Sequence, residues 1–291
     1  MELKGYLLNC FIGGEEVTHK GDGSWVRNRI AVSFADYEIL IVQRPEAIRA
    51  NAGDYRGQAI DTTEVIVRNI EPSDFDDVIE KLRGLTTLLS FITCSQVVLN
   101  GWECAEVDPS GQFWSVMART GCFRPVLELV DGRAVREFLE NVWPIYFQLE
   151  QPRKLRVAID YYVSTQVLGL PMELKLVTIF VLLENLKATF AAYRGYPYKQ
   201  GWYRKPNGKP RYFKPLLEEM FKNVRMAPAL ASIIELRNEI IHSGISQMPY
   251  MKQTQIYEDC YDLIWEYFMR LLGFSGSFFL FSGRGMKVKS I

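Results

Sequence analysis

The chain has 291 residues, 48% of them hydrophobic, with 34 basic and 34 acidic side chains and a net charge of zero. That content rules out wholesale disorder and is enough for one large domain or two ordinary ones to bury a core. Two histidines, His19 and His242, exclude a His-rich metal site, and five scattered cysteines without a C-x-x-C pair give a zinc ribbon no support.

Residues 1–150 carry 14 Lys+Arg against 23 Asp+Glu, and the remaining residues carry 20 against 11. The neutral total therefore hides an acidic half and a basic half, and the basic half is the one expected to meet an anion. The N-terminus has an early acid and no long apolar stretch, so no targeting segment is expected. Uninterrupted apolar runs such as residues 176–183 are too short to span a bilayer, and the odd, scattered cysteines fit a reduced compartment. The expectation is a cytoplasmic protein with no membrane contact and no cofactor.

In chain order, "GYLLNCFIG" (5–13), "IAVSFADYEILIVQ" (30–43) and "TEVIVRNI" (63–70) read as strands, rich in β-branched and aromatic residues and bounded by turn formers. Residues 72–93 read as a helix with Ser73 as N-cap and Asp74, Asp76 and Asp77 in the first turn, where the dipole favours them. Asn100-Gly101 reads as a hairpin turn and "QFWSVMART" (112–120) as the next strand.

From about residue 131 the texture becomes helical. Residues 132–150 form a helix bent or broken at Pro144, and residues 152–170 follow with Pro152 near a helix start. Residues 171–195 are the longest and most apolar helical stretch. A basic insertion comes next, then a short helix at 216–224. Residues 228–244 form another helix, with Pro228 at its start and Gly244 closing it, and residues 253–273 form the last one. The tail from residue 283 is basic and is expected to fray. The fold class is α+β: a β-rich N-terminal domain (1–148) followed by an all-α domain (149–291) of four main helices, with a basic insertion at 193–217.

The stretch "ALASIIELRNEIIHSG" (229–244) holds an anomaly. On a helical wheel Leu230, Ile233, Ile234, Ile240 and Ile241 all fall within roughly 60 degrees of Arg237. A guanidinium at the centre of an apolar stripe needs a partner, because it cannot shed its proton. Asn238 and His242 stack four apart on one flank, and His242 stands roughly 140 degrees from Arg237.

Arg237-Asn238-x-x-x-His242 resembles the R-x4–6-H motif of the HEPN superfamily. It stands on the third of four expected helices, as in that family. Residues "LRVAIDYYVSTQ" resemble the first HEPN helix and "VLLENLKATF" the second, so the resemblance covers about residues 150–273. In Apea-like members an acidic residue of the second helix lies near the Arg/His pair, and Glu184 is the matching position. The resemblance implies a HEPN-like four-helix bundle that works as a homodimer, with two motifs meeting in one composite site. It implies a metal-independent, toxin-like endoribonuclease of prokaryotic antiphage defence. His242 would handle the proton of the ribose 2′-OH or the leaving oxygen, and Arg237 would clamp the scissile phosphate. The products would be a 2′,3′-cyclic phosphate and a 5′-OH. Imidazole titrates near neutral pH and guanidinium presents a charged planar fork to phosphate, so the residues suit the chemistry.

Other readings stand beside this one. Arg237 can be a structural ion pair, with Glu184, Glu235 or Glu239 as partner, and His242 a cap for the helix dipole. Some HEPN domains keep a degraded motif, which would make the chain a non-catalytic dimerisation, nucleotide-binding or RNA-binding module.

The insertion interleaves cations (Arg194, Lys199, Arg204, Lys205, Lys209, Arg211, Lys214) with aromatic rings (Trp202 and Tyr203 among them) and contains no acid. Cations grip phosphates and rings stack on splayed bases, so this segment is the expected RNA-guiding element. The alternative is a solvated loop whose rings pack on the helices. The acidic N-terminal half shows no P-loop, dinucleotide fingerprint or nucleophile elbow. Some Apea-like proteins carry a β-rich sensor there, which would make a protein or small-molecule trigger its partner.

Overall fold

A computed structural model describes residues 1–19, 21–34, 37–44, 47, 52–104, 111–112, 124–166, 170–283 and 287–291, with backbone alone at 52–53 and 111–112. The fold is α+β with a β-rich N-terminal part. The chain divides into two compact units, mainly Met1–Pro144 and mainly Ile145–Thr165 with Gly169–Gly276.

In the first unit the strands are β1 (Leu3–Leu8), β2 (Glu16–His19), β3 (Trp25–Phe34), β4 (Tyr37–Gln43), β5 (Asp61–Val67), β6 (Val98–Cys104) and β7 (Gly111–Gln112). They form one antiparallel sheet in the order β2-β3-β4-β5-β1-β6-β7. Period-two alternation sets its faces: Leu3, Gly5 and Leu7 of β1 and Val65 and Val67 of β5 are buried, while Lys4, Tyr6, Glu64 and Ile66 are half-buried. Helix α1 (Phe75–Thr93) lays Val78, Leu82, Leu85 and Leu89 on the buried face. It passes over Gly5, where an added Cβ would lie 2.8 Å from Val65, 2.9 Å from Leu99 and 3.6 Å from Leu82.

Several local expectations change. Residues 30–43 are not one strand but parts of two, β3 and β4, paired with Phe34 opposite Tyr37. Asn100-Gly101 is no turn. Both residues lie inside β6, where the register against β1 shifts between Tyr6 and Leu7 to leave a bulge at Asn100. Ser73 does not cap α1: it sits in a 3-10 turn, Pro72–Asp74, and its hydroxyl bonds Asp74. The strand expected at 112–120 lies outside the described residues, apart from Gln112 in β7.

The helices of the second half are α2 (Arg133–Arg153), α3 (Leu155–Ser164), α4 (Met172–Tyr193), α5 (Phe213–Asn223), α6 (Ala231–Ser243) and α7 (Tyr250–Leu271). Helix α2 runs through Pro144 unbroken, and Pro152 stands in its last turn instead of starting the next helix. The break falls at Lys154, whose φ of 51° turns the chain into α3. Near the C-terminus Val288–Ser290 is a short strand, so this part of the tail is held, with Lys289 on Glu266 at 2.6 Å.

The second unit is built round α4, which contacts α3, α5, α6 and α7. Among the described residues it is the one helix long and apolar enough, by length and composition, to cross a bilayer, which short apolar runs did not foreshadow. Its Leu176, Ile179, Phe180, Leu183, Leu186 and Phe190 are buried among its neighbours, as in a core helix. An aromatic cluster of Tyr162, Tyr257, Tyr261, Trp265 and Phe281 completes that core, with Trp265 Nε1 donating to the Tyr162 hydroxyl at 2.7 Å. Cys10, Cys94 and Cys260 are buried and Cys104 is half-buried. Burial pushes the Cys260 thiol up.

The narrow gap above Gly5 gives a test. Gly5→Ala must displace Val65 and Leu99 beneath α1, and overpacking of this kind costs about 1–3 kcal/mol. Urea denaturation should show that loss, and a variant as stable as wild type would contradict the tight approach of helix and sheet.

Candidate functional site

Helix α6 opens at Leu230 and closes on Gly244, whose φ of 76° permits the left-handed cap and whose N–H donates to the Ile240 carbonyl at 2.8 Å. It buries Ile233, Leu236 and Ile240, while Ile234 is half-buried and Ile241 exposed. The buried face is therefore centred roughly 60 degrees from Arg237 on the wheel. Arg237 is not at the middle of the buried stripe but on its flank, with a half-buried side chain.

Glu184 on α4 is its partner. Arg237 Nη2 donates to Glu184 Oε1 at 2.7 Å, and Nη1 donates to Asn238 Oδ1 at 3.1 Å. The second oxygen of Glu184 accepts from Lys187 Nζ at 2.5 Å, one turn along α4. The ring of Phe213, first residue of α5, is shared by both cations, with Arg237 at 4.9 Å and Lys187 at 5.0 Å from its centroid. Arg237 Nε is buried and has no partner among the described residues. The cluster is thus two cations on one carboxylate, a net positive site with an open donor.

The other acids of α6 do other work. Glu235 is exposed, and Glu239 accepts from Ser246 Oγ at 2.6 Å and the Gln247 N–H at 3.2 Å. Ser243 Oγ bonds the carbonyls of Glu239 and Ile245. The turn after α6 is therefore tied down beside His242. His242 itself is exposed and has no hydrogen-bond partner among the described residues. Exposed apolar side chains surround this end in sequence: Ile241, Ile245, Tyr250 and Met251.

The insertion is built, not loose. Strands β8 (Tyr198–Lys199) and β9 (Trp202–Tyr203) pair as a hairpin across Gln200-Gly201, whose positive φ values, 51° and 79°, suit a tight two-residue turn. Tyr198 and Tyr203 face each other across it at 4.9 Å, and Trp202 meets Tyr212 edge-on at 5.7 Å. Two of the expected RNA-binding cations hold this structure together. Arg204 donates to the carbonyls of Lys199 and Gly208 and to Gln200 Oε1. Arg211 pairs with Glu219 and stacks on Tyr196 at 3.8 Å. Arg194, Lys199, Lys205 and Lys209 are exposed and have no ion pair among the described residues, and Trp202 is also exposed.

Sequence reasoning missed Lys187 and Phe213. The Glu184-x-x-Lys187 spacing was legible as a helical pair. The place of Phe213 was not, because only the folded insertion brings it back to α4 and α6. Among the described residues no group of three or more His, Cys, Asp or Glu side chains is placed to hold a metal ion. Comparisons of the chain with protein-family models, with curated proteins and with solved structures found no match.

The Glu184 pair is half-exposed, so its worth lies between that of a surface pair and a buried one. Glu184→Gln is expected to cost roughly 1–3 kcal/mol in urea. Arg237→Met should cost less in that background than in wild type, whereas strictly additive losses would mean the two side chains do not interact.

Proposed function

We propose that the chain is a HEPN-type endoribonuclease, metal-independent, homodimeric and cytoplasmic, with a toxin-like role in antiphage defence. The observation that carries this reading is Arg237: a charged side chain paired with Glu184, carrying a buried Nε with no partner, on the helix that ends in an exposed and unpartnered His242. A guanidinium fixed in place by a carboxylate suits a phosphate that arrives only with substrate.

Arg237 and His242 stand roughly 140 degrees apart on an ideal helix, so a composite site would draw them from two chains. A second copy meeting the exposed Ile241, Ile245, Tyr250 and Met251 would pair the Arg of one chain with the His of the other. In that site His242 takes the 2′-OH proton or supplies one to the 5′ leaving oxygen. Arg237 holds the charge that grows on the phosphorus oxygens. Asn238 orients Arg237, and Glu184 keeps its fork in place. The N-terminal unit is the candidate receiver of a protein or small-molecule trigger.

RNA is guided by the hairpin. Arg194, Lys199, Lys205 and Lys209 meet phosphates, and Trp202 and Tyr203 stack on bases. Arg204 and Arg211 hold the hairpin's shape. A second reading rests on the same Arg237–Glu184 pair: it also staples α6 to α4, as a non-catalytic dimerisation or nucleotide- or RNA-binding module would need.

Cleavage of RNA in EDTA separates the two. His242→Ala is expected to fold normally, because its side chain is exposed and unbonded, and to lose about a hundredfold to ten-thousandfold in rate. Product ends should be cyclic phosphates. Dimers of wild type that bind RNA without cutting it, with or without His242, would leave the binding module as the function. Reversing Lys199, Lys205 and Lys209 to Glu should weaken RNA binding and lower the salt slope by about 0.7 for each phosphate no longer engaged. An unchanged slope would remove the hairpin from the RNA path.

A further inference from the structure

We infer a second ligand site in the helical unit: a pocket for a phosphate-bearing small molecule of mononucleotide size, with Arg153 in its lining. The pocket has a volume of about 430 Å³, within the range of small-molecule sites. Its polar lining is Arg153, Arg225, Arg270, Asn223 and Tyr193, and none of its lining residues is an Asp or Glu.

Arg153 is the unusual member. It is 1% exposed, at the end of α2. Its Nη2 donates to the Tyr267 hydroxyl at 2.6 Å and the Leu186 carbonyl at 3.3 Å, and its guanidinium lies 5.6 Å from the centre of the Phe190 ring. All three partners are neutral. Burial pushes the Tyr267 phenol up, so it does not become a phenolate counter-ion. Among the described residues Arg153 has no carboxylate partner and its buried Nε has no partner. A buried cation without a counter-charge is the state an arriving anion relieves.

The competing explanation is that these arginines answer the helix dipoles, since α2, α4, α5 and α7 all end at the pocket. The last turns of α4, α5 and α7 are already closed by backbone bonds, with the N–H groups of Arg194, Val224 and Leu272 donating to carbonyls of Phe190, Phe221 and Phe268. Glu266 engages Arg270 at 2.8 Å but is shared with Lys289. Three arginines thus line the pocket beside partial charges that are mostly satisfied and one carboxylate that Arg270 shares with Lys289.

Arg225 adds a local argument. It is exposed, and its φ is 60°, a conformation glycine or asparagine adopts at less cost. A cation stands where the backbone alone would favour another residue. The exposed ring of Tyr193, together with Leu149 and Phe274, offers a flat, apolar surface for the body of the ligand beside the cations that take its phosphate.

The test is calorimetric titration of the full chain with adenosine 5′-monophosphate, guanosine 5′-monophosphate, inorganic phosphate and adenosine, with thermal unfolding alongside. The monophosphates should bind saturably and raise Tm, more tightly than inorganic phosphate, and adenosine should not bind. Arg225→Asn keeps the backbone conformation, so its own Tm should hold while affinity falls about tenfold to a hundredfold. Arg153→Lys keeps the charge but loses the fork, and should lower affinity as well. No saturable binding of either monophosphate at millimolar concentration would overturn the inference, as would binding that Arg225→Asn leaves unchanged. Neither readout involves RNA cleavage, so the site stands or falls separately from the ribonuclease reading.

Discussion

One carboxylate organises the helical unit. Glu184 sits on the most apolar helix of the chain and binds two cations at once, Lys187 from its own helix and Arg237 from α6. Without it two positive charges would share a half-buried space with no carboxylate, only a ring and the Asn238 amide oxygen. With it, α6 docks on α4 in one register, and Phe213 is drawn in at the start of α5 by its face toward both cations. Three helices are thereby indexed to one side chain. The arrangement leaves Arg237 anchored but not saturated, which is the condition for a charged group to serve a passing phosphate without rearranging.

The insertion shows how a basic, aromatic sequence separates into scaffold and surface. Tight turns need a φ above zero, and Gln200, Gly201 and Gly208 provide it. The carbonyls those turns leave behind need donors, and Arg204 supplies them to Lys199 and Gly208. Arg211 is neutralised by Glu219. The lysines, compact and strongly hydrated, remain outside. The electrostatic surface available to a polyanion is therefore set by the lysines and Arg194, smaller than the composition of the segment suggests but carried on a frame with defined shape.

Arg237 and Arg153 are two answers to the same problem. Each guanidinium leaves bulk water among apolar helices. Arg237 meets a carboxylate on the neighbouring helix, which it shares with Lys187. Arg153 meets a phenol, a carbonyl and a ring. The first arrangement fixes helix packing. The second leaves a guanidinium without a carboxylate partner among the described residues.

Much of this was legible in the residues themselves. Period-two and period-3.6 patterns give the α+β class, and most helices of the second half lie close to the stretches that announce them, because burying one face leaves a local signature. Glu184 as the partner of Arg237 came from resemblance alone, and the sequence could not rank it above Glu235 or Glu239. Tertiary structure decided that, by turning Glu239 to the next loop and Glu184 to the arginine. Asn100-Gly101 went into a strand, not a turn, because pairing with β1 outweighed local turn preference. Pro144 stayed inside α2, since packing along a long helix offset one missing hydrogen bond. Which arginines would be structural, and that Arg153 would be buried among neutral partners, depends on residues more than thirty positions away meeting in space. Local pattern determines what a segment can become, but charge balance is a property of neighbours, and neighbours exist only once the chain has folded.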